Sequence, residues 1–182
     1  MNGPDGQTYG NVTRPTGEDT LDMFDTADAG VEHFGFPWCL YDRSRGGLAG
    51  FTQDPSQGSC SPLPAAASDG LPSPVVPARP SALFGRHVSA DGLAFNPGTN
   101  FPHADDGDLF VAEFGNFFGN TVTGHKVARV HFDASGDVAT VTDFMTGVVP
   151  LDLTFAPDGA LWIADLSGVI LRVASVVRRS LP

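Results

Sequence analysis

Between residues 152 and 173 the apolar positions fall in three short runs rather than along a helical stripe. One run ends at Phe155, one spans Leu161 to Ala164 and one spans Val169 to Val173. The runs are separated by Pro157-Asp158-Gly159 and by Ser167-Gly168. Proline presets φ at one turn position, glycine reaches positive φ without steric penalty and aspartate tolerates it, so the chain can reverse within a few residues. The pattern predicts three antiparallel strands joined as a meander.

An earlier copy of the same pattern is present. The segment from Gly92 to Gly98 matches Asp152 to Asp158, Asp108 to Glu113 matches Ala160 to Asp165, and Val127 to Val130 matches Ile170 to Val173. Three matched pieces in one order make an internal repeat. The first copy is longer at its turns, by residues 99–106 and 114–125, where a meander can lengthen without disturbing its strands. Repeated meanders of this length predict blades of a β-propeller, whose sheets bury their faces by stacking on neighbours. Closed propellers hold roughly four to eight blades of about 45 residues each, so this chain has room for at most about four. The expected fold is all-β, a partial propeller of two to three blades preceded by a loop-rich segment. Such a piece leaves blade edges open and calls for a partner, a second chain that completes the ring.

The division expected is residues 1–80 as the loop-rich segment and 81–182 as the blades. Glycine, aspartate and threonine dominate the first 30 residues, where Glu18, Asp19, Asp22, Asp25 and Asp28 form an acidic group. A solvated loop is the plain reading; a gathering of oxygen ligands for Ca²⁺ is the alternative, although the spacing is not that of an EF-hand. Asn11-Val12-Thr13 is a glycosylation sequon that matters only in a secreted eukaryotic chain. From Gly30 to Cys39 an aromatic cluster is broken by Gly35 and Pro37, which predicts a tight packed turn with His33 as a structural imidazole. Prolines 62, 64, 72, 74, 77 and 80 then mark an extended surface connection.

Cys39 and Cys60 are the two cysteines, enclosing a loop rich in glycine, serine and glutamine without CxxC or zinc-ligand spacing. A disulfide in an oxidising compartment accounts for them and would stabilise by about 3 kcal/mol; two separate buried thiols are the alternative. A bridge points to an extracellular or periplasmic location. The formal charge of −11, from 21 acidic and 10 basic side chains, offers no cationic track for nucleic acid. No run reaches the roughly 18 apolar residues of a membrane helix, and polar residues rather than a signal segment follow Met1. Asp105-Asp106-Gly107-Asp108 reads as an acidic turn, with a Ca²⁺ loop as the alternative.

The order of these motifs resembles the pyrroloquinoline-quinone (PQQ) dependent glucose/sorbosone dehydrogenases, soluble aldose dehydrogenases on a six-bladed propeller. Gly30 to Cys39 is similar to that family's Gly-Gly-Asn-Tyr-Gly-Trp-Pro-x-Cys turn, and the strands from Gly92, Gly107, Gly124 and Pro157 follow in the family's order. The resemblance implies that this chain is the C-terminal half of such a propeller, with PQQ and Ca²⁺ as cofactors and a sugar as substrate. It implies that Gly3 and Pro4 offer carbonyl oxygens to Ca²⁺, that Asn2 lies beside the quinone, and that Asp19 and Asp152 lie on the cofactor rim. Ca²⁺ prefers hard oxygen donors and acts on the quinone as a Lewis acid.

The departures carry equal weight. Where the family has Arg-x-Arg-Asp-Val, this chain reads Val149-Pro150-Leu151-Asp152-Leu153, so the two guanidinium groups suited to the cofactor carboxylates are absent. Lys126, the only lysine, is out of register with the family's cofactor lysine, and none of the five histidines occupies the position of the catalytic base. The reading is therefore a fragment or degenerate member of the family, not catalytic alone. Two alternatives are a non-catalytic binding propeller, whose insertions at residues 99–106 and 114–123 carry recognition with Phe114, Phe117 and Phe118 as an apolar contact patch, and a lactonase-like propeller with convergent carboxylates around a metal.

Overall fold

The structure, a computed structural model, describes residues 18–23, 34, 39–42, 47–50, 78–102, 105–116, 122–134, 136 and 139–175. Among these residues there is no helix; the elements are strands β1 (Glu18–Leu21), β2 (Cys39–Asp42), β3 (Gly47–Gly50), β4 (Ala82–Arg86), β5 (Ala90–Phe95), β6 (Leu109–Glu113), β7 (Lys126–Phe132), β8 (Ala139–Thr146), β9 (Pro150–Phe155), β10 (Leu161–Asp165) and β11 (Ile170–Val173). The chain divides into two compact units, Met1–Arg86 and His87–Pro182.

In the first unit β1 pairs antiparallel with β4, and β2 with β3. Strands β1 to β3 lie where the residue pattern had indicated mainly loop and turn, whereas β4 lies in the segment assigned to the blades. Each of β1 to β3 has four residues, β1 contributes a single apolar side chain, and its partner is some sixty residues away in sequence, so no local alternation marks it.

The second unit holds two separate sheets, β5-β6-β7-β8 and β9-β10-β11. Each is an antiparallel meander, and the strands match the repeat: β5 with β9, β6 with β10, β7 with β11. The backbone repeats along with the residues. Asn96 N–H donates to Asp108 O at 2.8 Å in the first copy, and Ala156 N–H to Ala160 O at 2.9 Å in the second. Likewise Phe114 N–H donates to Ser89 O and Leu166 N–H to Val149 O, both at 2.9 Å. The insertion at residues 99–106 is thus an excursion inside a turn whose closing hydrogen bond is retained.

The turn between β9 and β10 shows why the sequence reverses there. Gly159 has φ of 76°, where a side chain would be strained. Its N–H donates to Ala156 O at 2.8 Å, and the Asp158 carboxylate accepts from Ala160 N–H at 3.0 Å. A Cβ at Gly159 would also collide with Thr99 Oγ1 and Asn100 from the first copy's insertion.

The core lies between the two sheets. Phe110, Ala112 and Val127 of the first meet Leu153, Leu161 and Ile163 of the second, all buried. Phe101, from the insertion, packs its ring 5.9 Å from Phe110 and 5.9 Å from Phe155, and Phe110 lies 4.8 Å from Phe144 with the rings nearly perpendicular. Edge-to-face contacts of this kind add about 0.5–1.5 kcal/mol per pair beyond area burial. Full burial of each large apolar side chain contributes roughly 1.5–3 kcal/mol.

Candidate functional site

The cofactor-rim position expected at Asp152 falls at the start of β9, beside a β-bulge. Ala164 pairs with Asp152 and Asp165 with Pro150, so Leu151 is the extra residue. The first copy has the same device: Glu113 pairs with Ala90 and Ala112 with Gly92, leaving Asp91 extra. Bulges re-aim side chains and increase local twist. Here the slip turns Leu151 outward, 42% exposed, while Leu153 stays buried. Simple alternation would have placed both leucines on one face, so this feature was not legible from the pattern.

Gly92 and Asp152 are equivalent in the repeat and meet across the two sheets. A Cβ at Gly92 would lie 2.8 Å from Asp152 Cα and collide with its Oδ1. The Asp152 carboxylate folds back to accept from Leu153 N–H at 2.8 Å. Together with Thr154, Trp162, Ala164 and Ile170 it borders an open cleft of about 210 Å³. The cleft offers one carboxylate, one hydroxyl and one indole face.

The other expected site residues fall elsewhere. Asp19 is on β1, opposite Gly85 of β4, in the first unit. Asn2, Gly3, Pro4 and Cys60 lie outside the described residues, as does the side chain of Cys39. In the acidic group, Asp22 accepts from Thr20 Oγ1 at 3.0 Å, and burial pushes its carboxyl up despite that bond. Among the described residues no three His, Cys, Asp or Glu side chains gather as a metal would require.

The acidic turn at residues 105–108 is held by Arg129 and His131 of its own sheet. Arg129 Nε lies 2.6 Å from Asp108 Oδ2 and its Nη1 lies 2.7 Å from Asp105 Oδ1, while His131 Nδ1 is 2.7 Å from Asp108 Oδ1. Buried Asn96 completes the turn, donating to Asp105 O at 2.7 Å and accepting from Gly98 N–H at 3.1 Å. Lys126 is similarly committed. It stands opposite buried Glu113, with Nζ 3.6 Å from Glu113 Oε2 and 2.6 Å from Asp143 Oδ1. Burial alone would lower its pKa, but the Asp143 hydrogen bond and the charges of Glu113 and Asp143 outweigh this and raise it.

Asn100 joins the two copies. Its amide donates to Asp158 O at 3.1 Å and its Oδ1 accepts from Ser175 N–H at 2.7 Å. Residues 99–102 therefore help fasten one sheet to the next. Phe114 is half-buried, and Phe117 and Phe118 lie outside the described residues.

Two stacked meanders built from one repeat, with matched bulges at their first strands, define part of a β-propeller. The fold is that of solved sugar-oxidising propellers. It is similar to the PQQ domain of pyranose dehydrogenase from Coprinopsis cinerea (18% identity, TM-score 0.56, covering 88% of this chain and 45% of that one). A glucose dehydrogenase aligns at 17% identity and TM-score 0.56 over 89% of this chain and 39% of its own. A Trichoderma reesei carbohydrate-active enzyme of family AA12 aligns at 19% identity and TM-score 0.53 over 76% and 38%, and has also been solved in a calcium form. This chain thus spans less than half the length of the structures it matches. No protein-family model matches the sequence, and no curated protein matches it.

Proposed function

We propose that this chain is part of a sugar-oxidising propeller of the PQQ- and Ca²⁺-dependent glucose/sorbosone dehydrogenase type, a fragment or degenerate member that does not catalyse on its own. The fold likeness along most of the chain supports the lineage. The single observation that carries the second half is the chemistry at the first strand of the second meander. The resemblance requires two cations there for the carboxylates of the quinone, and the chain supplies Val149 and Leu151. Val149 spends its backbone N–H on Asp165 Oδ2 at 2.7 Å, and Leu151 turns an apolar side chain outward. The residues at this strand therefore do not fit the quinone's carboxylates. Asn2, Gly3, Pro4 and Asp19 belong to the proposal as Ca²⁺ and quinone neighbours in an ancestral site, with a sugar as the ancestral substrate.

Export to an extracellular or periplasmic space, with a Cys39–Cys60 bridge, completes the proposal; among the described residues no helix is long and apolar enough to cross a membrane. The test is a thermal melt of the full chain with and without PQQ and Ca²⁺. A ligand that binds only the folded state raises the melting temperature. We expect no shift; a saturable shift that needs both PQQ and Ca²⁺ would show a working cofactor site and overturn the assignment as non-catalytic.

A further inference from the structure

At the end of the sheets where the β9 bulge lies, the two copies of the repeat carry different side chains. Leu151, Leu166 and Val169 of the second copy stand where the first copy has Asp91, Phe114 and Lys126. The backbone sets the three on adjacent segments: Leu166 N–H donates to Val149 O at 2.9 Å, Asp165 N–H donates to Val169 O at 3.0 Å, and Asp165 pairs with Pro150 beside the extra residue Leu151. Leu151 is 42%, Leu166 53% and Val169 49% exposed. Leu151 belongs to the rim of its sheet rather than to a stacking face, because Asp91, its equivalent, stays exposed although the first sheet is covered.

The charge around this apolar patch has one sign. Asp152 and Asp165 adjoin it in the chain, and the contact of Gly92 with Asp152 brings Asp91 beside β9. The lysine of this rim, Lys126, is already shared between Glu113 and Asp143. Arg129 and Arg172 are engaged at the opposite end of the sheets, with Asp105 and Asp108 and with Asp158. We infer that the Leu151-Leu166-Val169 rim is a docking site for a protein segment that sets Leu, Ile or Phe side chains between lysines or arginines. The apolar side chains of such a segment remove the three exposed ones from water, and its cations meet the bordering carboxylates. A second copy of this chain is the poorer occupant, because it brings a formal charge of −11 of its own, and anionic lipid headgroups are repelled for the same reason. The inference rests on the side chains of the rim and is independent of the sugar-oxidising reading.

The probe is a short fluorescein-labelled peptide of alternating Lys and Leu, titrated with the full chain and followed by fluorescence anisotropy, beside Lys/Ser and Glu/Leu peptides of the same length. Saturable binding of the Lys/Leu peptide is expected, with the Lys/Ser peptide several-fold weaker and the Glu/Leu peptide not bound. Leu151→Ser combined with Leu166→Ser should weaken binding several-fold and leave the melting temperature unchanged, since both side chains face water. Asp91→Asn combined with Asp152→Asn should weaken binding and reduce its dependence on salt. Leu93→Ser with Phe95→Ser, exposed apolar residues outside the rim, should leave binding as it was. Equal binding of the Lys/Leu and Lys/Ser peptides, or equal binding by the parent chain and the Leu151→Ser, Leu166→Ser variant, would overturn the inference. A dimer that this variant abolishes would overturn it by assigning the rim to a second copy, and cosedimentation with phosphatidylcholine vesicles that this variant abolishes would assign it to lipid.

Discussion

Gly92 and Asp152 hold the same place in two copies of one repeat, and they touch: a side-chain carbon on Gly92 would come within 2.8 Å of the Asp152 Cα. Contact between equivalent positions is what blade stacking demands, because the first strands of successive sheets run side by side. It makes glycine the residue that sets the spacing of the two sheets at this end.

Gly92→Ala should therefore destabilise the protein by about 1–3 kcal/mol, the range for overpacking a filled site. Urea denaturation of both proteins checks this. Asp152→Ala in the same background should relieve only part of the loss, because the closest main-chain atom remains.

Phe110→Ala should lower stability by about 3–5 kcal/mol, as for other fully buried aromatics. Phe101→Ala should lose less, since that ring is only half-buried. If residues 99–102 fasten the sheets, Asn100→Ala should also lower the melting temperature, with increased hydrogen exchange at Ser175 N–H.

The ion pairs separate by burial. Arg129→Leu leaves the Asp108 carboxylate, whose side chain is 3% exposed, without its guanidinium. Breaking a buried pair from one side costs about 3–5 kcal/mol. Arg172→Ala removes an exposed pair with Asp158 at 2.8 Å, and exposed pairs contribute about 0–1 kcal/mol. Equal losses in denaturation experiments would contradict this ordering.

Acid should loosen the β10–β11 turn only below the ordinary carboxylate range. The Ser167 hydroxyl, at 2.6 Å, and the backbone N–H groups of Ser167 and Val149 hold the Asp165 carboxyl below its usual range. A depressed carboxylate stabilises the fold at pH values above its unfolded value of about 4, and that contribution is lost as pH falls through the lower folded value. Asp165→Asn should flatten the stability profile in that acid window while changing its slope little above about pH 6. Melting temperatures across a pH series provide the check.

Much of the fold was legible without coordinates. Apolar runs of strand length between Pro157-Asp158-Gly159 and Ser167-Gly168 define a meander locally, and repetition of that pattern implies stacked sheets. Strands β1 to β3 were not legible, because a four-residue strand such as Glu18–Leu21 becomes a strand only through a distant partner. The candidate site was less legible still. Asp152 was singled out by resemblance, but its contact with Gly92 and the bulge at Leu151 depend on how two sheets meet. Asn100 looked like part of a free insertion because its partners, Asp158 and Ser175, are 58 and 75 residues away.

Turn chemistry and the alternation of side chains act over a few residues, so the sequence by itself determined where strands begin and end within the repeat and that two copies must lie together. Which apolar face was covered, at Phe110, and which stayed open, at Trp162, was decided only in three dimensions. The two rings have similar chemistry and the same place in the repeat. Burial belongs to the neighbour that arrives, and side-chain chemistry alone does not specify that neighbour.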